Sequence, residues 1–295
     1  MKRLIHRKKA GLFYPIWFAG PAIVIYGIFY LIPIFFAFVM SFTDWNMNRF
    51  MEPVFNGFEN FQKLFNDEVF VRSIGNTFLF AVTTTIGKIV LGLALALLLV
   101  KPVKGNNIFR TIFYMPCVLS TVVVGILFNA ILGRDGLLNE FTAVLGIKPI
   151  DWLGSYSTAM LWIILMEIWM WGGFCMFIFI SGLQSIPQEY YECAEIEGAS
   201  KTAKFFKITL PLLMPSFTVV MTLNITGGLK VFDMVYILTN GGPGFDTQVL
   251  NTYTYRSFSM GFLGQSCASA VILSVIIVLV TFTVNNFLKK REVEM

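Results

Sequence analysis

Six stretches of this chain are long, apolar and almost free of charge. A helix that crosses the roughly 30 Å hydrocarbon core of a bilayer needs about 20 apolar residues. Within the six stretches only Lys88 and Glu167 are charged. We therefore predict an all-α membrane protein with six transmembrane helices, at residues 17–42, 73–100, 111–133, 158–182, 208–229 and 265–288.

The composition agrees with this fold class. Hydrophobic residues make up 56% of the 295 residues and charged residues 13%, whereas soluble domains average about 45–50% apolar and about 25% charged. This balance disfavours a soluble enzyme, a disordered chain, a collagen and a disulfide-stapled secreted domain. The four cysteines form no C-x-x-C pair, and we expect them to be buried or lipid-facing.

The positions of lysine and arginine orient the spans. With the N-terminus inside, 14 of the 22 basic residues lie in cytoplasmic segments, 7 lie outside, and Lys88 lies within a span. Because cytoplasmic loops are enriched in Lys and Arg, both termini are predicted to be cytoplasmic. The chain then divides into a basic cytoplasmic tail (1–16), a six-helix transmembrane domain (17–288) and a short cytoplasmic tail (289–295). The loop 185–211 faces the cytoplasm.

The pattern of loop 185–211 predicts two short helices separated by a glycine. Ser185 and Gln188 fit an N-terminal capping box, and Gly198 is suited to end the acidic helix that follows. Ser200 can cap a second, basic helix, and Pro211 marks the return to the membrane. The loop can be an amphipathic connector that touches lipid headgroups or a docking element for a protein. Four glutamates in the first helix would be repelled by anionic lipid, which favours the protein partner.

The same loop contains a spaced set of residues, namely Glu192, Cys193, Ala194, Gly198, Ile208, Leu210 and Pro211. They fit the pattern E-A-A-x3-G-x9-I-x-L-P at every spacing, with Cys193 as the one departure. This pattern resembles the cytoplasmic loop of permease subunits of bacterial ABC importers. The segment 239–243, Thr-Asn-Gly-Gly-Pro, is similar to the carbohydrate-uptake branch, and the segment 21–45 to its maltose-transporter-type first permease.

The resemblance implies a type I ABC importer permease architecture in the bacterial cytoplasmic membrane, and import of a sugar or oligosaccharide by alternating access. It also implies a second, similar permease, two ATPase subunits that bind ATP and Mg²⁺, and an external or periplasmic substrate-binding protein. The loop residues that would couple to the ATPase are Glu189, Glu192, Cys193, Ala194, Gly198, Ile208, Leu210 and Pro211.

The sequence contains no pattern for catalysis. The chain lacks G-x-x-x-x-G-K-[ST], so a separate subunit would have to bind and hydrolyse ATP. Its one histidine, His6, lies in the basic tail, which disfavours Ser-His and His-zinc chemistry. We predict no enzyme activity, no catalytic residue, no metal site, no cofactor bound by this chain and no nucleic-acid partner.

Spans four and five carry polar residues and glycines, which are costly in a bilayer unless they are buried in protein or line a cavity. By resemblance, the solute pathway involves Glu167, Trp171, Gly172, Asn224, Gly228, Lys230 and Asp233. Other roles stay open for these residues. The glycines can serve helix packing, Lys88 and Glu167 can pair with each other, and Lys230 can pair with Asp233.

Two other functions stay open as well. The first is an ABC permease for another solute, such as glycerol phosphate or an osmolyte, for which Lys88 or Lys230 would supply a cation. The second is an ATP-independent channel or secondary transporter. Proton-driven transporters usually carry several ionisable residues in the membrane, whereas the predicted spans contain two.

Overall fold

The computed structural model describes residues 19–101 and 105–291. The predicted basic tail 1–16, the first two residues of the predicted first span and the last four residues of the chain lie outside the described part. Across the described residues the regular structure is helical, apart from an isolated bridge between Thr43 and Phe55. The all-α prediction is therefore confirmed.

The helices are labelled here in chain order. They are α1 Gly20–Met40, α2 Glu59–Asn66, α3 Glu68–Leu99, α4 Asn106–Val118, α5 Thr121–Leu132, α6 Leu137–Val144, α7 Tyr156–Ser185, α8 Gln188–Ile196, α9 Lys201–Leu212, α10 Met214–Leu229, α11 Asp233–Thr239, α12 Leu250–Ser259 and α13 Leu263–Lys289.

Six membrane passes follow from these helices. In the described part of the chain, five stretches are long and apolar enough to cross a bilayer, namely Gly20–Met40, Glu68–Leu99, Thr121–Val144, Tyr156–Ser185 and Leu263–Lys289. The bent pair α9 and α10 supplies the sixth when it is counted as one span. An even number of passes places the two ends of the chain on the same side of the membrane.

The third predicted span, 111–133, is not one helix, so that prediction was wrong. Helix α4 ends at Val118, Leu119 and Ser120 are extended, and α5 begins at Thr121. Pro116 lies in the last turn of α4 and has no N–H to donate within the helix, which weakens that turn just before the break. The apolar pass then continues from α5 through α6.

The fifth pass begins on the cytoplasmic surface and bends as it enters the apolar part. The axes of α9 and α10 differ by 61° at Leu213. Pro211 lies just before this bend and Pro215 lies in the first turn of α10. Because neither proline donates a backbone hydrogen bond, the helix can break between them. The expected short basic helix is in fact the start of this longer element.

The centre of the molecule is formed by α3, α7 and α10, which pack along one another. The carboxylate of Asp67 accepts a hydrogen bond from Val69 N at 2.8 Å at the start of α3, a favourable N-cap. Helix α3 is 32 residues long, about 48 Å at 1.5 Å per residue, so it extends beyond the hydrocarbon core.

Small residues bring these helices close together. A Cβ added at Gly228 of α10 would lie 2.7 Å from the Ala81 Cα of α3, and one added at Gly92 would lie 2.6 Å from the Cys175 Cβ of α7. Close backbone approach through small residues is a common way to associate helices in membranes. Helix α1, in contrast, has no buried residue among those described, as expected for a helix that faces lipid or another subunit.

Candidate functional site

The cytoplasmic loop forms a helix, a sharp turn and a second helix. Helix α8 ends in a Schellman motif, in which Ala199 N donates to Ala194 O at 2.8 Å and Gly198 N donates to Glu195 O at 3.0 Å. Gly198 has φ +76°, in the left-handed region that glycine adopts without steric cost. The prediction that Gly198 ends the acidic helix is confirmed.

The two caps predicted for this loop had different outcomes. Ser200 caps α9, because its Oγ accepts a hydrogen bond from Ala203 N at 3.2 Å. The capping box at Ser185 and Gln188 was wrong, since Ser185 Oγ donates to Gly182 O at 2.8 Å inside α7. Helix α8 instead follows Pro187 and has no side-chain cap. Proline fits there because its fixed φ suits a helix start.

Side-chain contacts tie the two helices of the loop together. Lys204 Nζ lies 2.5 Å from Glu195 Oε1, and Tyr191 Oη lies 3.0 Å from Thr209 Oγ1. The hydrogen bond from Lys204 and its positive charge hold the pKa of Glu195 below its usual range. The loop is therefore braced at both ends and can move as one body.

The predicted coupling residues lie on this braced loop. Glu189, Glu192, Cys193 and Gly198 are exposed, whereas Ala194 is buried. The remaining members, Ile208, Leu210 and Pro211, are half-buried along α9, on the route into the membrane. Beyond them, Leu213 is fully buried in the same apolar cluster as Phe179 of α7. The structure thus connects an exposed cytoplasmic helix to the packed transmembrane core.

Inside the membrane, Lys88 of α3 and Glu167 of α7 form an ion pair. Lys88 Nζ lies 2.7 Å from Glu167 Oε1, and the two side chains are 4% and 12% exposed. From the sequence, Glu167 could line the solute pathway or pair with Lys88. The geometry supports the pairing. The pair makes the centre of α3 and α7 electrically neutral while leaving two polar groups there.

The remaining predicted pathway residues on α7 and α10 differ in their surroundings. Asn224 is buried, and its Nδ2 donates to Val220 O at 2.8 Å and to Cys175 Sγ at 3.2 Å. Trp171 is half-buried, with its ring edge-on to Phe174. A Cβ at Gly172 would lie 2.5 Å from the Leu91 side chain. Gly172 and Gly228 therefore serve helix packing in this structure.

Lys230 and Asp233 lie beyond the end of α10. Both are exposed, and the ion pairs among the described residues do not include one between them. The Lys230 carbonyl accepts a hydrogen bond from Asn251 Nδ2 at 2.6 Å. The alternative of a Lys230–Asp233 ion pair is thus not supported, and both side chains are free to face solvent.

Two buried hydroxyls were missed or given no role by the sequence reasoning. Thr85 Oγ1 of α3 and Thr222 Oγ1 of α10 have no hydrogen-bond partner among the described residues. Three consecutive threonines at 83–85 in an otherwise apolar span were the available signal. Unpaired buried hydroxyls are rare and call for an explanation. They lie on the two helices that, with α7, form the centre of the molecule.

The chain combines six membrane passes with an exposed cytoplasmic helix between the fourth and the fifth. This arrangement is that of an inner-membrane permease subunit. A family described as "Binding-protein-dependent transport system inner membrane component" matches residues 88–293, and the chain belongs to this family of permeases. The family resemblance predicted from the loop motif and the multi-pass membrane location are thereby confirmed.

Curated relatives match nearly the whole chain. A probable ABC transporter permease, YurN of Bacillus subtilis, is 35% identical over 95% of this chain and 97% of its own length. The arabinooligosaccharides transport system permease AraP of the same organism is 34% identical over 94% of this chain and 88% of its own length.

A solved structure shares the fold. A chain of a bacterial ABC transporter "involved in the import of the acidic polysaccharide alginate" has a TM-score of 0.80 and 23% identity, over 93% of this chain and 96% of that chain. This likeness confirms the ABC importer permease architecture.

Proposed function

We propose that this ABC permease subunit forms part of the pathway for a sugar or oligosaccharide. Support comes from the close relative whose name gives arabinooligosaccharides as its cargo. The polar groups buried at the centre of the chain, among them Asn224, Thr85 and Thr222, suit a neutral solute rich in hydroxyls. Amide and hydroxyl groups of this kind fix the orientation of small ligands in otherwise apolar sites.

The braced loop is the coupling element in this proposal, and its geometry is the observation that carries it. Helix α8 presents Glu189, Glu192 and Cys193 to the cytoplasm, where a separate ATPase would receive them. The ion pair at Glu195 and the Schellman turn at Gly198 make the helix rigid relative to α9. A rigid body of this kind can transmit a domain closure into the membrane.

The membrane end of the same element explains how the movement would reach the pathway. Helix α9 continues from the loop to Leu213, which is buried against α7, and α10 begins directly after the 61° bend. A shift of α8 therefore moves the start of α10 relative to α3 and α7. Alternating access then corresponds to opening the space among these three helices on one side and closing it on the other.

The partners in this proposal supply what the chain lacks. Two ATPase subunits would bind ATP and Mg²⁺ and carry out hydrolysis, and this chain would have no catalytic role. A second, similar permease would complete the pathway, and an external binding protein would deliver the sugar. Lipid would cover α1, whose apolar side chains such as Phe29 are strongly exposed.

The second candidate solute, a phosphate ester, is less well supported. A phosphate would require an unpaired cation in the pathway, whereas Lys88 is paired with Glu167 at 2.7 Å. Lys230 has no ion-pair partner within residues 19–101 and 105–291, but it is exposed beyond the end of α10. An excess of glycerol phosphate should therefore leave uptake unaffected while an excess of unlabelled sugar abolishes it.

The proposal is tested by co-isolation and uptake. The tagged chain is purified in mild detergent with its associated proteins, which are identified by mass, and the complex is placed in liposomes. With ATP inside and the binding protein outside, we expect accumulation of one radiolabelled sugar from a panel of maltotriose, arabinotriose, lactose and raffinose. Movement of the sugar across the membrane by this chain alone in ATP-free liposomes would instead establish a channel or secondary transporter.

A further inference from the structure

A polar and aromatic pocket lies on the face of the molecule that the topology places outside. We call it the outer pocket. It has a volume of about 350 Å³ and is lined by Tyr236, Asn240, Phe245, Gln248, Thr252, Tyr255, Arg256 and Ser259. The volume falls within the range of small-molecule sites, roughly 300–1,000 Å³. These residues belong to α11, α12 and the segment between them, and none was among the predicted pathway residues.

The walls of the outer pocket are held in place from α3. Arg72 forms an ion pair with Asp246, and Asn76 Nδ2 donates to Asp246 O at 2.6 Å and to Gln248 O at 2.9 Å. Leu250 N donates to Thr77 Oγ1 at 2.9 Å. The segment between α11 and α12 is therefore fixed before any ligand arrives, which lowers the entropic cost of binding.

Two polar side chains of the pocket lack partners in the described part of the protein. Gln248 is 2% exposed, and its Oε1 has no hydrogen-bond partner. The Arg256 guanidinium lies 3.5 Å above the Phe245 ring, and the ion pairs among the described residues do not include it. A buried acceptor and a guanidinium with free N–H donors line the same pocket, and together they suit a ligand that both donates and accepts hydrogen bonds.

Aromatic rings supply the other half of a carbohydrate site. The rings of Tyr236 and Tyr255 lie 5.3 Å apart, and Phe232 packs on both of them. Phe245 adopts φ +78°, a strained conformation for a non-glycine residue of the kind found at ligand clamps. A sugar ring combines apolar C–H faces, which aromatic rings can cover, with hydroxyls that donate and accept.

From these features we propose that the outer pocket binds one sugar unit of the incoming solute before it enters the membrane pathway. Gln248 and Arg256 bind its hydroxyls, and the ring cluster of Tyr236 and Tyr255 covers its apolar face. This inference rests on the proposed sugar transport. It adds a second contact point, separate from Asn224 and the Lys88–Glu167 pair, at the outer end of the route.

The test is saturation-transfer NMR on the assembled transporter in lipid nanodiscs, without nucleotide and without binding protein. The probe is the sugar that the uptake experiment identifies from its panel. We expect saturation transfer from the wild-type complex to the sugar ring protons. Gln248→Leu and Arg256→Gln should each reduce the transfer at least fivefold. Arg256→Gln is the safer variant, since Arg256 forms no ion pair with any residue that the structure describes.

The control is Lys63→Gln, which alters another outer-face residue that lies away from the pocket and pairs with Glu59 at 2.8 Å. It should leave the saturation transfer unchanged. Transfer that persists in both pocket variants would overturn the proposal. So would a wild-type complex that takes up the sugar but gives no saturation transfer, and this result would leave the proposed function intact. Uptake of no sugar at all would refute the proposed function itself.

Discussion

The ion pair between Lys88 and Glu167 allows a quantitative prediction. With side-chain exposures of 4% and 12% and a distance of 2.7 Å, the pair is almost fully removed from solvent. Removing one partner of such a pair costs about 3–5 kcal/mol, because the other charge is left buried and unpaired. Glu167→Gln should therefore reduce the free energy of unfolding by about 3 kcal/mol or more.

The assay is unfolding of the purified complex by titration with SDS in mixed micelles, followed by tryptophan fluorescence. The double variant Lys88→Met with Glu167→Gln carries no unpaired charge and should lie within about 1 kcal/mol of the wild type, since a buried pair is often no better than an apolar one. The exposed pair of Lys63 and Glu59, with exposures of 57% and 53%, gives the control: Lys63→Gln should cost about 0.5 kcal/mol or less. A loss below about 1 kcal/mol for Glu167→Gln would refute the reasoning about burial.

Three further predictions concern the loop and the helix contacts. Gly198→Ala forces a side chain to φ +76°, at about 1–2 kcal/mol, which disfavours the formed turn roughly 5–30-fold relative to its open form. ATP-driven uptake should fall while membrane levels stay normal; normal uptake would count against a coupling role. Gly228→Leu would place a Cβ 2.7 Å from a backbone atom of α3 and should reduce the yield of folded protein. A Cβ added at Gly227 would meet nothing within 4 Å, so Gly227→Leu should be tolerated. Because Lys204 lowers the pKa of Glu195, the contact between them is present above the ordinary glutamate pKa of about 4.3 and is lost as pH falls through the lowered value. Proteolysis of the loop should rise over that acidic range, and Glu195→Gln should remove this pH dependence.

The sequence was sufficient to predict the number of passes and most of their positions. The fourth span was predicted at 158–182 and the structure has a helix over Tyr156–Ser185. The sixth was predicted at 265–288 and the helix is Leu263–Lys289. A charge-free run of this length is a property of the local sequence, and in a membrane protein it predicts a spanning helix directly. The break at Leu119 and Ser120 was not predicted, although Pro116, three residues before it, was an available signal.

The functional residues also fall into two groups, those determined by local sequence and those determined by contacts between distant helices. The turn at Gly198 and the cap at Ser200 depend on neighbours a few residues away, so the pattern of the loop predicts both. The partner of Glu167 lies 79 residues away, and the sequence left its identity open. Likewise, only the packing of α10 on α3 decides that Gly228 meets Ala81. Contacts between distant helices are thus the part that the sequence did not determine.

The central claim is that α8 couples this permease to a separate ATPase, and a cross-link tests it most directly. Cys193 is exposed on α8, and replacing it with a photo-cross-linking amino acid places the probe at the proposed contact. Val144, 85% exposed at the far end of α6, provides the control position. After illumination of native membranes, we expect position 193, and not position 144, to be joined to a P-loop ATPase. Attachment of the probe at 193 only to lipid would contradict the account.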